Sequence, residues 1–387
     1  MEKYNILEIC DVYQPKTVAT KEFVPNGQYS VYGANGIIGN YDKYNHENSE
    51  VLMACRGATC GAINVSKPYS WINGNAMVIH PKGNIPIKQK YLAYCLQASD
   101  KRNIISGTAQ PQITRNNMKL FQLPLCEIEE QERIVTRIEE LFSELDKAVE
   151  TLQTTKQQLA VYRQAVLKEA FEIAIQGYNA KSDMLSIEEL LTTDRKGMAT
   201  GPFGTMIKKH EHQKSGIPML GIENIGEGKY VDGNKIFVTT EKAEELKSFA
   251  LHAGDIIISR SGTVGEICAV PQRAEGALLS TNLMRVSLNH DVIRSDYFIF
   301  LFQSKGIVLD QVKELCKGST RIFLNQTILK QIQFPVPSLN EQMEIVHKIE
   351  SRLSVCESIE QTVDTALAQA DAMRQSILKQ AFEGGYV

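Results

Sequence analysis

Two short clusters of hydrogen-bonding side chains recur in matching settings. Arg56-Gly57-Ala58-Thr59-Cys60-Gly61 ends the apolar run Val51-Leu52-Met53-Ala54-Cys55, and Arg260-Ser261-Gly262-Thr263-Val264-Gly265 ends Asp255-Ile256-Ile257-Ile258-Ser259. An arginine and a hydroxyl on a glycine turn can donate to a phosphate oxygen or a base edge. The same arginine can instead pin its own turn through backbone carbonyls, and that structural role suits Thr59 and Thr263 best. A second polar run, Gln110, Gln112, Arg115 and Asn116, is answered downstream by Lys317, Thr320, Arg321 and Asn325. A third, Lys208-Lys209-His210, follows the loop Gly201-Pro202-Phe203-Gly204 and suits either phosphate contact or a solvated loop.

Sets of residues for covalent chemistry are missing. No GxxxxGK phosphate loop occurs, and Gly33, Gly36 and Gly39 lack the GxGxxG spacing, so Tyr32-Gly33-Ala34-Asn35-Gly36 reads as turns with positive φ. Tyr32, Asn35, Tyr41 and Lys43 are weak binding candidates for that reason. An amino-methyltransferase needs an Asn/Asp-Pro-Pro-Tyr/Phe motif, and the chain has no Pro-Pro. His210-x-His212 lacks further ligands at metal spacing. The eight cysteines are scattered with no CxxC pair, which fits a reducing cytoplasm. The N-terminus does not read as a signal peptide, and no apolar run is long enough to span a bilayer. A formal net charge of -3 announces no nucleic-acid binding but leaves local patches free to do it.

The elements that must carry these clusters are duplicated. Residues from Gly107 to Phe171 align without a gap on Gly318 to Phe382. Leu120-Phe121-Gln122-Leu123-Pro124 matches Gln331-Ile332-Gln333-Phe334-Pro335, and Glu130-Gln131 matches Glu341-Gln342. Arg163-Gln164 and Phe171 match Arg374-Gln375 and Phe382. Between these points each copy is one long helix, free of proline and glycine from Glu130 to about Glu172, roughly 60 Å at 1.5 Å per residue.

Heptad spacing predicts a seam on Ile138, Leu141, Leu145, Ala148, Leu152, Thr155, Leu159, Tyr162 and Val166. The second copy gives Ile349, Arg352, Cys356, Ile359, Val363, Ala366, Ala370, Met373 and Ile377, with Arg352 as an interruption. Each seam is expected to pair with the other. Phe171 and Phe382 are expected to pack between helix ends and globules, and the acidic helix exteriors (Glu139, Glu140, Glu144, Glu150) to be solvated. The preceding globules echo each other more loosely: Asn75 through Ile79 by Asn282 through Val286, and Tyr91 through Leu96 by Tyr297 through Phe302.

In this order and duplication the chain resembles the specificity subunits of type I restriction–modification systems. The likeness rests on the Tyr32–Gly36 and Gly201–Gly204 stretches, the buried strands running into Arg56-Gly57-Ala58-Thr59-Cys60-Gly61 and Arg260-Ser261-Gly262-Thr263-Val264-Gly265, and the proline, Glu-Gln, long-helix block after each globule. No long helix leads the first globule, which fits a simple two-globule, two-helix version. The resemblance implies an α/β (α+β) fold with pseudo-two-fold symmetry. It would have target recognition domains at 1–127 and 180–337, and spacer helices at 128–175 and 338–383, paired antiparallel. Each domain would read half of an asymmetric, bipartite double-stranded DNA target.

The DNA-contact candidates are then Arg56, Thr59, Gln110, Gln112, Arg115, Lys208, Lys209, Arg260, Ser261, Thr263, Arg321 and Asn325. The helices would dock two methyltransferase subunits, with restriction–translocase subunits joining them. No cofactor is expected in this chain; S-adenosylmethionine, ATP and magnesium would be handled by those partners. The competing reading is a coiled-coil scaffold whose globules bind protein.

Overall fold

The computed structural model describes residues 1–107, 110–177, 184–204, 206–304, 306–316 and 322–383. Two compact units divide the chain: Met1–Gln153 with Val363–Val387, and Thr154–Thr362. Each therefore contains one globule and part of both long helices.

Unit 1 opens with β1 (Glu2–Asn5) and the single turn α1 (Ile6–Ile9). A capping box closes that turn: Asn5 Oδ1 accepts from Leu7 N–H, and Glu8 accepts from Asn5 N–H. Then come β2 (Cys10–Tyr13), β3 (Tyr29–Gly33), β4 (Gly36–Tyr41), β5 (Val51–Ala54), β6 (Ile63–Val65), β7 (Trp71–Ile72) and β8 (Ala76–Pro81). Helix α2 (Gln89–Ala98), β9 (Gln122–Leu125) and α3 (Ile128–Gly177) follow. The central sheet is antiparallel in the order β2-β8-β5-β6, a smaller sheet runs β4-β3-β7, and β1 pairs with β9.

The central strands β5 and β8 read as continuous apolar runs because both faces are covered. Val51, Met53, Met77 and Ile79 join the helical core, while Leu52, Ala76 and Val78 pack with Tyr32 and Ile72. The Gly/Asn stretch is a hairpin, not a string of turns. Among its residues Gly36 alone takes positive φ (92°): Ala34 and Asn35 make the turn, and backbone pairing of β3 with β4 holds the flanking residues extended. Leu120, expected in a strand, ends a 3-10 turn and is 70% exposed; pairing with β1 starts at Gln122.

Unit 2 repeats the plan. It runs β10 (Met184–Ser186), α4 (Ile187–Leu190), β11 (Met198–Thr200), β12 (Ile217–Leu220), β13 (Ile225–Gly226), β14 (Lys229–Tyr230), β15 (Ile236–Val238) and α5 (Thr240–Glu245). It continues with β16 (Ile256–Ser259), β17 (Ile267–Ala269), β18 (Leu278–Leu279), β19 (Leu283–Val286), α6 (Ser295–Gln303), α7 (Val308–Leu315), α8 (Gln326–Gln331), β20 (Gln333–Pro335) and α9 (Leu339–Phe382). The orders β11-β19-β16-β17, β15-β12-β18 and β10-β20 reproduce the three sheets of unit 1, down to one parallel pair in the smaller sheet. Gln331 belongs to α8 rather than to a strand.

Helices α3 and α9 pack antiparallel in each unit. In unit 1 Asp146 pairs with Arg374, whose guanidinium lies 4.5 Å from the Phe142 ring centre. In unit 2 Glu169 pairs with Arg352 at 2.6 Å and Arg163 with Glu360 at 2.7 Å. The interruption at Arg352 is thus an interhelical ion pair. Ile138, Val166, Ile349, Cys356, Val363, Ala370 and Ile377 are buried in the seam, and Leu141, Leu145, Leu152 and Leu159 are half-buried.

Ile359 (40% exposed) and Met373 (54%) are corrections, as are Ala148 and Tyr162 on the first helix, which are also exposed. Where the expected position is exposed, the residue one later is often half-buried instead, as at Val149 and Arg374, because residues three and four apart lie on the same helix face.

The helix ends are exchanged between copies. Phe382 meets Tyr91 edge-on at 5.4 Å in unit 1, and Phe171 meets Tyr297 at 5.5 Å in unit 2. Tyr91 and Tyr297 donate to the carbonyls of Pro124 and Pro335, and burial raises both hydroxyl pKa values. Each globule's core is completed by the end of the other copy's helix.

The helix starts are fastened by buried glutamines. Gln131 accepts from Lys88 N–H at 2.9 Å and donates to the Pro86 and Cys126 carbonyls. Gln342 accepts from Arg294 N–H at 2.9 Å and donates to Val292 and Pro337. Lys88 and Arg294 are the N-cap residues of α2 and α6, so each glutamine ties a globule helix to the long helix beside it.

Candidate nucleic-acid interface

In unit 1 the central strand β5 delivers Arg56 into a turn that takes positive φ at Gly57 (84°) and Gly61 (90°). Gly61 N–H returns to the Ala54 carbonyl, Cys60 N–H bonds Gly57, and Ala62 N–H bonds Thr59, so Thr59 shapes the turn through its backbone. The segment Gln110-Pro111-Gln112 lies alongside. Gly57 N–H donates to Pro111, Ile113 N–H to Cys55, and Arg56 and Gln112 form a β-bridge. Arg56, Gln110, Gln112 and Arg115 are exposed, and Thr59 is half-buried. In the loop after β2, Thr17 Oγ1 accepts from Gly74 N–H, and the Lys16 carbonyl accepts from the Trp71 ring.

In unit 2 the strand β16 delivers Arg260 in the same way, with positive φ at Gly262 (78°) and Gly265 (88°). The arginine is partly occupied, since its Nε donates to Leu324 and its Nη1 to Thr281, both carbonyls at 3.2 Å. Ser261 Oγ donates to Asn282 Oδ1 at 3.4 Å, and Ser261 and Thr263 are exposed. Asn325 is the N-cap of α8, its side chain accepting from Ile328 N–H at 2.8 Å.

Lys208 and Lys209 are exposed on a separate segment, the loop between β11 and β12. Glu211 in that loop pairs with Lys242 at 2.9 Å and accepts from Lys208 N–H, which holds its carboxyl below the ordinary range. Arg321, Lys317 and Thr320 lie outside the described residues.

Three residues beside the second arginine turn were not picked out by type: Thr281 and Asn282, which bond Arg260 and Ser261, and Phe323, next to Leu324. The repeat itself held a usable signal, because Asn75 and Asn282 align and both precede the strand beside the arginine turn.

A cleft of about 590 Å³ in unit 2 is lined by Arg163, Glu227, Lys229, Glu266, Glu350 and Glu357. Its charge is net acidic, and Arg163 is held by Glu227 and Glu360, so it suits a phosphate poorly. Among the described residues no group of His, Cys, Asp and Glu could hold a metal ion, and no helix is long and apolar enough to cross a membrane.

A family model described as the type I restriction modification DNA specificity domain matches residues 1–159 and 201–369. The chain is 24% identical over 337 residues to the type I restriction enzyme StySPI specificity subunit of Salmonella potsdam, covering 85% of this chain and 68% of that protein. It is 27% identical over 319 residues to the EcoKI specificity subunit of Escherichia coli (strain K12), covering 76% and 65%. The fold matches the HsdS subunit from Thermoanaerobacter tengcongensis with a TM-score of 0.52 at 16% identity, over 99% of this chain and 97% of that one. It matches a chain from a study of complex assembly and conformational transition of the type I R-M system with a TM-score of 0.64 at 16% identity, over 99% and 98%.

Proposed function

The chain belongs to the type I restriction modification DNA specificity family, and from that premise we propose that each globule reads one half of a split, asymmetric double-stranded DNA target. As a type I specificity subunit it is the DNA-recognising and not the catalytic member of its system. The observation that carries the finer reading is a shared sheet plan with chemical difference. Both units present an arginine turn at the end of the central strand, but the side chains around Arg56 and Arg260 differ. Two unlike faces on one repeated frame suit two unlike half-sites.

In this reading the paired helices set the distance between half-sites and dock two methyltransferase subunits, with restriction–translocase subunits joining that core. S-adenosylmethionine, ATP and magnesium act in those partners. Base edges are read by exposed donors such as Arg56, Gln110, Gln112 and Arg115, and phosphates by Lys208 and Lys209.

The test is a methylome. The chain is co-expressed with the methyltransferase subunit of its system, and host DNA is sequenced for N6-methyladenine. The expected result is a split, asymmetric motif methylated on both strands only when this chain is present. No new methylation from a complex that forms and binds S-adenosylmethionine would overturn the reading in favour of a scaffold.

A further inference from the structure

The loop after β11 is built to hold one apolar side chain in solvent. Gly201 and Pro202 are buried at its root. Gly201 N–H donates to Leu283 at 3.1 Å, and a Cβ there would overlap the Ser280 carbonyl oxygen. Phe203 follows with 74% of its surface exposed, and Met206 N–H closes the turn on the Phe203 carbonyl at 2.8 Å. Exposed Lys208, Lys209 and His210 come next, and the acid among them, Glu211, is engaged by Lys242.

This loop shares its surroundings with the arginine turn. The Ser280 to Asn282 segment that Gly201 touches also accepts from Arg260, through Arg260 N–H to Asn282 and Nη1 to Thr281. Phe323, 40% exposed, stands next to Leu324, whose N–H bonds the Arg260 carbonyl. In unit 1 the corresponding loop runs Pro15-Lys16-Thr17, as the pairing of Val12 with Ile79 and of Met198 with Val286 aligns it. There the exposed positions are a cation and a hydroxyl.

An apolar tip flanked by cations and an arginine turn suits duplex DNA, with cations to phosphates and the tip in a groove. The most prominent apolar group on a base-pair edge is the C5-methyl of thymine in the major groove. We propose that Phe203 is a specificity-determining residue that contacts a thymine methyl in the half-site read by the second globule. The inference rests on the reading of that globule as a DNA-recognition domain.

The test uses the complex of the full chain with its methyltransferase subunit. Methylomes are compared for wild type, Phe203→Ala and Phe203→Leu. The second half-site is assigned as the half that survives exchange of residues 1–106. Phe203 is exposed, so neither substitution disturbs the core. Wild type should require a T·A pair at one position there. Phe203→Ala should relax that position alone, and Phe203→Leu should largely restore it. Deoxyuridine in place of that thymine, which removes one methyl, should weaken wild-type binding about tenfold and leave Phe203→Ala binding unchanged.

An unchanged motif in Phe203→Ala overturns the inference and leaves the parent reading standing. So does a wild-type complex indifferent to deoxyuridine at every thymine of that half-site. No methylation with the wild-type chain overturns both.

Discussion

Replacing Gln342 with methionine removes three hydrogen bonds at nearly constant volume. Gln342 has no exposed surface, so water cannot take over. The Arg294 N–H at the start of α6 loses its acceptor, and the Val292 and Pro337 carbonyls lose a donor. An unpartnered buried N–H costs about 1–3 kcal/mol, and the carbonyls, each with a second lone pair, add less. The expected total is about 2–4 kcal/mol, and its lower end corresponds to a roughly 30-fold rise in local opening. Because a chain of two units need not unfold in one step, the sharper assay is hydrogen exchange read by mass spectrometry on the peptide spanning the start of α6. That peptide should lose protection by about 30-fold or more, while the start of α2 is unaffected. Gln131→Met should do the reverse, at the start of α2 only, since Gln131 makes the same three bonds. Protection that is unchanged in both variants would refute the fastening role, and so would losses below about 0.5 kcal/mol, typical of surface positions.

Four further outcomes are expected. Deleting residues 149–155 and 366–372, one heptad from each helix, shortens each by about 10 Å, or about three base pairs at 3.4 Å each. The methylome should keep both half-sites and lose about three spacer pairs, and an unchanged spacer would end the ruler idea. Exchanging residues 1–106 for those of a relative should change one half of the target only; a change in both halves contradicts modular reading. Gly201→Ala forces a Cβ into the Ser280 carbonyl and should cost about 3 kcal/mol in calorimetry, whereas Gly204→Ala, whose Cβ would meet open space, should be neutral. Burial pushes the Cys10 and Cys268 thiols up to about 12 and Cys95 higher still. At pH 8 alkylation followed by mass spectrometry should therefore find half-buried Cys60 and Cys126 modified first, and labelling of Cys95 in the native chain would contradict this.

The exchange of helix ends gives the duplication a physical purpose. Tyr91 and Tyr297 each receive a phenylalanine from the other copy, so neither globule completes its core with its own repeat alone. The long helices are thereby part of each globule's interior as well as a connection between sequence repeats.

The amino-acid sequence by itself determined the duplication, the two long helices, their pairing with each other and the central strands. These are written in local order, as apolar runs, heptad spacing and the absence of helix breakers. The arginine turns were legible for the same reason, because an apolar strand pattern followed by an arginine and a glycine-containing turn needs no distant partner to be seen. Tertiary structure alone decided how their side chains are used. Arg260 reaches carbonyls of Thr281 and Leu324, one of them 64 residues away, whereas no spacing rule separates it from Arg56. Exposed seam positions gave way to the residue one later, as at Val149 and Arg374, because residues three and four apart share a helix face and the partner chooses between them. Gln131 and Gln342 read as ordinary polar helix starts, and became buried fastenings only when another helix N-terminus was folded against them. Phe203 reads as one more apolar residue in a loop. Its exposure is seen only in the folded loop, whose root residue Gly201 lies against Ser280 beside the paired strands β11 and β19.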